Sequence, residues 1–398
     1  VLHVVPSIDP SKGGPSISLL GQTEAQIAAG MNVSVVTCWA DRFPEFARQY
    51  RVLGAAVEVI GPTTGRLARH PQLVATLREL VRRCDIVHTH GVWEEIIHQA
   101  VRLARQEGKP YIMRTCGMLS SLSLQQRIIH KWLFLKLRLY NDLDRAAAVH
   151  FTTRGEQDLT VPVMVIKAPA IVLPLGVRLS EFEHLPPRGT FRQKFPQLGQ
   201  RPVVIFLGRV HPRKGVERLV SAMRHVNVPG AILVVAGPDA DGLRGVLERQ
   251  TARFGIQDRV LFTGMLTGKE RVEALVDADL FALPSEYENF GVSVVEALAA
   301  GIPVLVSKRV QLYQDLLRGG VGGLISRDPK EMAVELTRWL TDGDLRRAAA
   351  AKARAFAWEH YNWTAIAHQW EGQYARLIAG NRASRQAGAG GNPGPGPA

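Results

Sequence analysis

Short runs rich in aliphatic and β-branched residues alternate with amphipathic stretches along almost the whole chain, and the alternation stops and starts again once. Residues 2–5, 33–38, 57–60, 86–89, 111–113 and 147–151 read as strands, with helical stretches such as 17–29, 72–83 and 94–106 between them. Strands joined through helices imply a mainly parallel sheet covered on both faces. The pattern breaks at Leu185-Pro-Pro-Arg-Gly189, a stiff polar segment with the character of a linker. It resumes with strands at 203–207, 232–236, 260–262, 280–283 and 304–306, and helices near 216–226, 243–254, 269–276 and 292–300. Two similar α/β domains are therefore expected, residues 1–185 and 186–360, each presenting the carboxyl ends of its strands to a shared cleft where ligands bind. A last helix near 361–380 carries Trp363, Ile366, Trp370, Tyr374 and Leu377 at helical spacing, an apolar stripe that must pack on something. It is expected to return to the first domain. The Gly-, Pro- and Ala-rich end, 381–398, is expected to be disordered.

The length, 398 residues, suits two ordinary domains, and 46% hydrophobic with 21% charged residues suits globular cores. No apolar run approaches the roughly 18 residues that cross a bilayer. The first residues, Val-Leu-His-Val-Val-Pro, read as a strand and turn with no basic leader, so no signal peptide is expected. Cys38, Cys84 and Cys116 are odd in number and lack metal-site spacing, which suggests reduced thiols in a cytoplasmic protein. The net charge of +13 has two readings, an anionic partner or arginines scattered over helix surfaces. There is no zinc pattern, RNP-type strand or recognition helix, so no nucleic-acid partner is expected.

The most informative stretch is Pro284-Ser-Glu-Tyr-Glu-Asn-Phe-Gly-Val-Ser-Val-Val-Glu-Ala-Leu-Ala-Ala-Gly-Ile-Pro303. A strand runs into a polar turn and then into a helix opening near Gly291. Glu288 and Glu296 flank that opening. Free amides at Phe290, Gly291 and Val292 favour an anion there, and the carboxylates suit neutral hydroxyls on either side. That layout matches a nucleotide-sugar. In Phe206-Leu-Gly-Arg-Val-His-Pro-Arg-Lys-Gly215, Arg209 ends a strand and Lys214 precedes a helix. The pair supplies positive charge where a diphosphate would leave, and Gly208 and Gly215 let backbone come close. Taken alone, Arg209 has the simpler reading of a helix cap. The first domain has a glycine turn of its own, Ser11-Lys-Gly-Gly-Pro15, whose Gly13 and Gly14 permit close approach to a ligand or simply a tight turn. Asp277-Ala-Asp279 superficially matches a metal motif but reads as a helix end at the surface. The stretch from Gln126 to Tyr140 sets Arg127, Lys131 and Arg138 beside Ile128, Trp132, Leu135 and Leu139. It suits an anionic membrane surface, a core helix with a basic edge, or part of an acceptor channel.

On Arg209 to Gly215 and Glu288 to Glu296, the chain resembles the family 4 retaining glycosyltransferases, which have the two-domain GT-B fold. Weaker similarities lie in Asp85-Ile-Val-His-Thr-His-Gly91, at Gly264 and in Gly322-Gly-Leu-Ile325. The resemblance implies that Arg209 and Lys214 bind the donor diphosphate and that Glu296 holds the ribose hydroxyls. It implies that Glu288, with Asn289, contacts the transferred sugar. By the same resemblance Phe290, Gly291 and Val292 meet the phosphates and sugar, and the base lies near Met265 and Leu266. Gly13 and Gly14 come to the cleft, while His90, Arg114 and Cys116 fall on the acceptor side. Arg209, Lys214 and Glu288 would be the catalytic residues, with no metal or other cofactor. Many relatives carry histidine where this chain has Cys116, and often Asn where it has Leu175. A double displacement needs a placed carboxylate, so Cys116 reads as packing rather than as a nucleophile. The implied activity is retaining transfer from a UDP- or GDP-linked sugar to a saccharide or lipid-linked acceptor, in cell-surface polysaccharide or glycolipid synthesis. The implied location is the cytoplasm or the inner face of the membrane. A nucleotide-sugar epimerase of the same fold is the alternative.

Overall fold

The computed structural model describes residues 1–9, 14–39, 45–65, 69–119, 138–160, 164–239 and 242–389. The chain forms two compact units, one from Val1–Gly176 with the segment from Trp363 onward, the other from Val177–Asn362.

The first unit holds β1 (Leu2–Val4), β2 (Ser34–Cys38), β3 (Ala56–Ile60), β4 (Val87–His90), β5 (Tyr111–Arg114), β6 (Ala148–Phe151) and β7 (Ala170–Val172). Its helices are α1 (Gly14–Ala28), α2 (Ala47–Val52), α3 (Leu73–Arg83), α4 (Glu95–Gln106), α5 (Tyr140–Asp144) and α6 (Arg154–Thr160). All pairings are parallel, in the order β3-β2-β1-β4-β5-β6-β7. One face of the sheet, with Val4, Val36, Val87, Met113 and Val149, packs on Leu77, Val81, Ile97 and Val101 of α3 and α4.

The second unit holds β8 (Val203–Leu207), β9 (Ile232–Ala236), β10 (Val260–Gly264), β11 (Leu280–Leu283), β12 (Val304–Val306) and β13 (Gly322–Leu324), parallel in the order β10-β9-β8-β11-β12-β13. Its helices are α7 (Thr190–Lys194), α8 (Val216–Met223), α9 (Leu243–Phe254), α10 (Gly268–Val276), α11 (Val292–Ala299), α12 (Tyr313–Gly319), α13 (Pro329–Thr341) and α14 (Gly343–Tyr361). The central strands read as unbroken apolar runs because both faces are covered; β8, β9 and β11 are buried at every position.

Helix α15 (Trp363–Ala389) belongs to the first unit and covers the second face of its sheet. Ile366, Trp370 and Tyr374 bury against Ile86, Ile112, Ala148, Ile171 and Leu173. Residues 381–389, expected to be disordered, are helical. Asn381 and Arg385 donate to the carbonyl of Gly108, at 2.9 and 3.1 Å, in a stretch rich in good helix formers. Residues 390–398 lie outside the described residues. The expected boundary at 185/186 also moves, to 176/177. The Val177 amide donates to Tyr361 at 2.9 Å, and Leu179 and Phe182 are buried within the second unit.

Strands β7 and β13 and helices α13 and α14 were not anticipated. The strands have three residues each, β13 opens on two glycines, and α14 buries only Ala349, Ala353, Ala357 and Tyr361. The Asp277–Asp279 pair does end a helix, but Asp277 is buried rather than at the surface. It accepts from the Gly189 and Arg192 amides at the start of α7, and Asp279 accepts from the Val203 amide at 2.8 Å. The two carboxylates fasten the segment after the Pro-Pro pair to the amino ends of the central strands β8 and β11.

In each sheet the strand order reverses once, between β1 and β4 and between β8 and β11. A crevice opens at such a reversal, because the following loops diverge to opposite faces.

Candidate functional site

The loops after β8 and β11 leave the reversal point of the second sheet side by side. Gly215 has φ +72 and opens α8, and a Cβ there would lie 2.3 Å from the Pro284 carbonyl oxygen. The Glu286 amide donates to the Arg213 carbonyl at 2.8 Å. Glycine thus allows one loop to lie against the other. At this meeting Lys214 Nζ forms an ion pair with Glu288 Oε2, both side chains being only partly exposed. Glu288 is fixed by its backbone, donating to Arg309 at 3.0 Å and accepting from Gln311 at 2.9 Å. Arg209, just beyond β8, is exposed, and its guanidinium makes no hydrogen bond or ion pair with the described residues.

Gly291, with φ +88, is the N-cap of α11, and the Phe290 ring packs edge-on against Tyr361 at 5.6 Å. The Val294 amide donates to the Gly291 carbonyl at 2.9 Å, and the Val292 and Ser293 amides before it have no i−4 carbonyl within the helix. Gly291, Val292 and this turn therefore stand beside Glu288 as the sequence implied. Asn289 accepts from the Tyr287 hydroxyl at 3.3 Å.

Glu296 lies on the same helix and is 8% exposed. Burial pushes its carboxyl up to about 7, while the Arg271 guanidinium, 3.1 Å away, opposes that shift. Arg271 also reaches Glu181 at 2.6 Å. Sequence reasoning missed Arg271, since nothing in the spacing of residues 181, 271 and 296 indicates that they meet. Beyond β10, Met265 is 66% exposed and Leu266 is buried. Gly208, between β8 and Arg209, donates to Ala236 at 3.0 Å.

In the first unit Gly13 lies outside the described residues, and Gly14 is the first residue of α1. The stretch 126–137 is also outside them. Of its expected basic face only Arg138 is described, and it pairs with Glu95 at 3.1 Å. Cys116 follows β5 with φ +52, a conformation that non-glycine residues seldom adopt. The buried Glu156 carboxylate brackets it. One oxygen accepts from Thr115 Oγ1 at 2.5 Å and the Gly117 amide at 2.6 Å, the other from the Thr152 amide and hydroxyl at 2.7 and 2.8 Å. Burial pushes the Cys116 thiol up to about 11, which agrees with packing rather than nucleophilic use.

His90 and Arg114 are 1% and 2% exposed. They belong to a polar stripe across the sheet face that α1 and α15 cover, with His3, His88 and His150. Arg114 Nη1 donates to His90 Nδ1 at 3.3 Å, which leaves His90 Nε2 to donate to His3 Nδ1 at 2.9 Å. His3 Nε2 then donates to the Gln26 Oε1 at 2.7 Å, and Gln26 Nε2 donates to the Tyr374 hydroxyl at 3.2 Å. The hydroxyl donates to His88 Nδ1 at 2.8 Å, His88 Nε2 to His150 Nδ1 at 3.3 Å, and His150 Nε2 to the Leu173 carbonyl at 2.8 Å. A guanidinium can only donate and a carbonyl can only accept, so the two ends impose the same direction and make every imidazole neutral. Burial holds His3 and His150 down to about 3, and His88 and His90 well below the ordinary value. His3, His88 and His90 stand close enough to hold a metal ion. Each lone pair is nevertheless already accepting a hydrogen bond, so the cluster is a closed network.

Residues 187–356 match the family model described as "Glycosyl transferases group 1", and residues 13–176 match "Glycosyl transferase 4-like domain". An uncharacterized glycosyltransferase of Methanocaldococcus jannaschii is 31% identical over 45% of this chain. The chain spans about half the length of that relative, 46%. The GDP-mannose:cellobiosyl-diphosphopolyprenol alpha-mannosyltransferase of Xanthomonas oryzae is 26% identical over 90% of this chain and 93% of its own length. Among solved structures, HepE of Anabaena in complex with UDP superposes with a TM-score of 0.80 at 20% identity, over 94% of this chain and 99% of that one. At that identity the likeness is one of fold, the GT-B fold.

Proposed function

The chain belongs to the group 1 glycosyl transferases, and from that premise we propose that it moves a sugar from a nucleotide-diphosphate sugar to an acceptor hydroxyl with retention at the anomeric carbon. The Lys214–Glu288 pair at the strand-order reversal carries this reading. An arriving diphosphate offers Lys214 a stronger anion, and Glu288, released, turns to the hydroxyls of the sugar. Arg209 has its guanidinium free to join the second phosphate, and the first turn of α11 supplies amide hydrogens. As the bond to the diphosphate loosens, its electrons pass to the leaving oxygen, which these fixed charges stabilise without a metal. That oxygen then takes the proton of the acceptor hydroxyl as the new bond forms on the same face. Glu296 is the group for the ribose hydroxyls, and Met265 and Leu266 flank the base.

The donor is UDP- or GDP-linked, and the acceptor is a saccharide or lipid-linked saccharide. The Xanthomonas relative, named for a GDP-mannose donor and a diphosphopolyprenol acceptor, supports this class. Peripheral association with a membrane is part of the same proposal; among the described residues no helix is long and apolar enough to cross one. Arg114 and His90 serve the acceptor side by fixing the end of β5, since both are buried.

The test is turnover of a panel of UDP- and GDP-sugars, with product configuration read by NMR. Arg209→Ala and Lys214→Ala should each fold and lose ~10²–10³ in turnover, the usual consequence of removing one preorganised donor. Near-normal rates in both variants, or an inverted product, would sink the assignment.

A further inference from the structure

Arg188, Arg192, Arg201 and Arg346 line a concave pocket of about 400 Å³ in the second unit, and among the described residues on its wall Asp279 is the only carboxylate. The pocket sits at the amino ends of the strands. Pro202 immediately precedes β8 and Asp279 immediately precedes β11. The loops carrying Arg209, Lys214 and Glu288 leave the carboxyl ends of the same two strands, so the sheet separates the two places.

Arg192, Arg201 and Arg346 are oriented mainly by backbone carbonyls, which fix direction without cancelling charge. Arg346 Nη1 donates to the carbonyls of Trp339, at 2.7 Å, and Leu340. Arg201 Nε donates to Gly230 at 2.6 Å. Arg192 donates to the carbonyls of Gly199, Arg201 and Asp277 at 2.8, 2.9 and 2.9 Å. Carbonyl oxygens orient a guanidinium but carry no net charge. Asp279 pairs with Arg188 and, at 3.8 Å, with Arg192, and one of its oxygens is shared with the Val203 amide; the buried Asp277 carboxylate beneath accepts from the Gly189 and Arg192 amides, so four guanidinium groups face two carboxylates. Arg201 and Arg346 keep N–H groups that no described residue accepts. A cation taken partly out of water costs free energy unless an anion compensates it, and here guanidinium groups outnumber carboxylates around a hollow.

We infer that this pocket is a second anion site, taking a phosphate-bearing ligand whose oxygens meet preorganised guanidinium edges. The ligand is a soluble diphosphate-like compound or the phosphate headgroup of an anionic lipid. The site is independent of the donor assignment, because it uses none of the same residues.

The experiment titrates inorganic pyrophosphate calorimetrically into the full chain carrying Arg209→Ala and Lys214→Ala, so that the donor position does not contribute. One binding event is expected, screened by salt. Adding Arg188→Glu, an exposed substitution that spares the carbonyl-bonded arginines, should weaken it about tenfold or more. Arg346→Gln should also weaken it, with circular dichroism reporting the fold. Sedimentation with phosphatidylglycerol vesicles, but not phosphatidylcholine vesicles, and its loss in Arg188→Glu, identifies a lipid headgroup as the source. Pyrophosphate binding without vesicle binding identifies a soluble compound. No binding in the parent at low salt, or an affinity unchanged in both folded arginine variants, overturns the site.

Discussion

Nε2 of His90 lies 2.9 Å from Nδ1 of His3, and this contact is one link of a hydrogen-bond chain whose direction is set at both ends. Because Arg114 can only donate and the Leu173 carbonyl can only accept, protonating any imidazole would place a second donor where a donor already points.

The first prediction concerns acid. His3, His88, His90 and His150 have folded pKa values below the unfolded value near 6.5, mainly through burial, with Arg114 and the neighbouring imidazoles adding to it. For such a group the unfolded state binds the proton first. Stability is therefore full above about pH 6.5 and is lost as pH falls towards 3, by of the order of 2 kcal/mol per imidazole at pH 5. Denaturant midpoints at pH 7.5, 6 and 5 measure this, and a double His88→Gln, His150→Gln variant should show a shallower slope. A flat profile in the wild type would count against the neutral chain.

Glu296 predicts the opposite sign. Its carboxyl is raised from 4.5 to about 7 by burial, so its contribution is full below pH 4.5 and is lost as pH rises through 7. Glu296→Gln, which cannot ionise, should gain stability relative to wild type between pH 5 and pH 8. Arg271→Gln should enlarge the wild-type loss, since it removes the cation 3.1 Å away. Differences measured by denaturation at the two pH values decide the matter, and parallel curves for wild type and Glu296→Gln would refute it.

At Gly215 an alanine would meet the Pro284 carbonyl oxygen at 2.3 Å and would have to keep φ +72. Gly215→Ala should cost ~2 kcal/mol or more, from left-handed strain plus backbone displacement. It should weaken donor binding as well, because Lys214 is the adjacent residue. Thermal unfolding and donor titration test both parts, and an unperturbed melting temperature would contradict the close approach.

Glu156→Ala should remove four hydrogen bonds at once and leave the Thr115, Gly117 and Thr152 groups without their acceptor. A loss of ~3 kcal/mol or more is expected, since bonds to a charged group contribute more than neutral ones. The Cys116 thiol should then react faster with a maleimide, because nothing holds the loop in its unusual conformation. Equal labelling rates in wild type and variant would argue against the clamp.

Much of the candidate site in the second unit was legible in the chain. Arg209, Lys214, Glu288, Gly291 and Glu296 lie within two short segments, each spanning a strand end and the helix after it, so local periodicity and glycine placement suffice to position them. The central strands β8, β9, β11 and β12 were bounded to the residue for a related reason: buried parallel strands are apolar throughout and end abruptly. The edge strands β7 and β13 lack that signature, because three residues on an exposed margin need little hydrophobicity.

The amino-acid order alone determined two repeating α/β halves and the residue types gathered around one helix start. Only the folded chain decided that Arg271 joins Glu296 to Glu181, that Glu156 brackets Cys116, and that five polar side chains from four strands meet under α15. Those partners are far apart along the chain, and sequence periodicity reports which face a side chain takes but not which distant side chain faces it. The same holds for the basic pocket, whose arginines come from a linker, a short helix, a strand approach and α14. Its excess positive charge exists only because backbone carbonyls, which no sequence spells out, happen to be their acceptors.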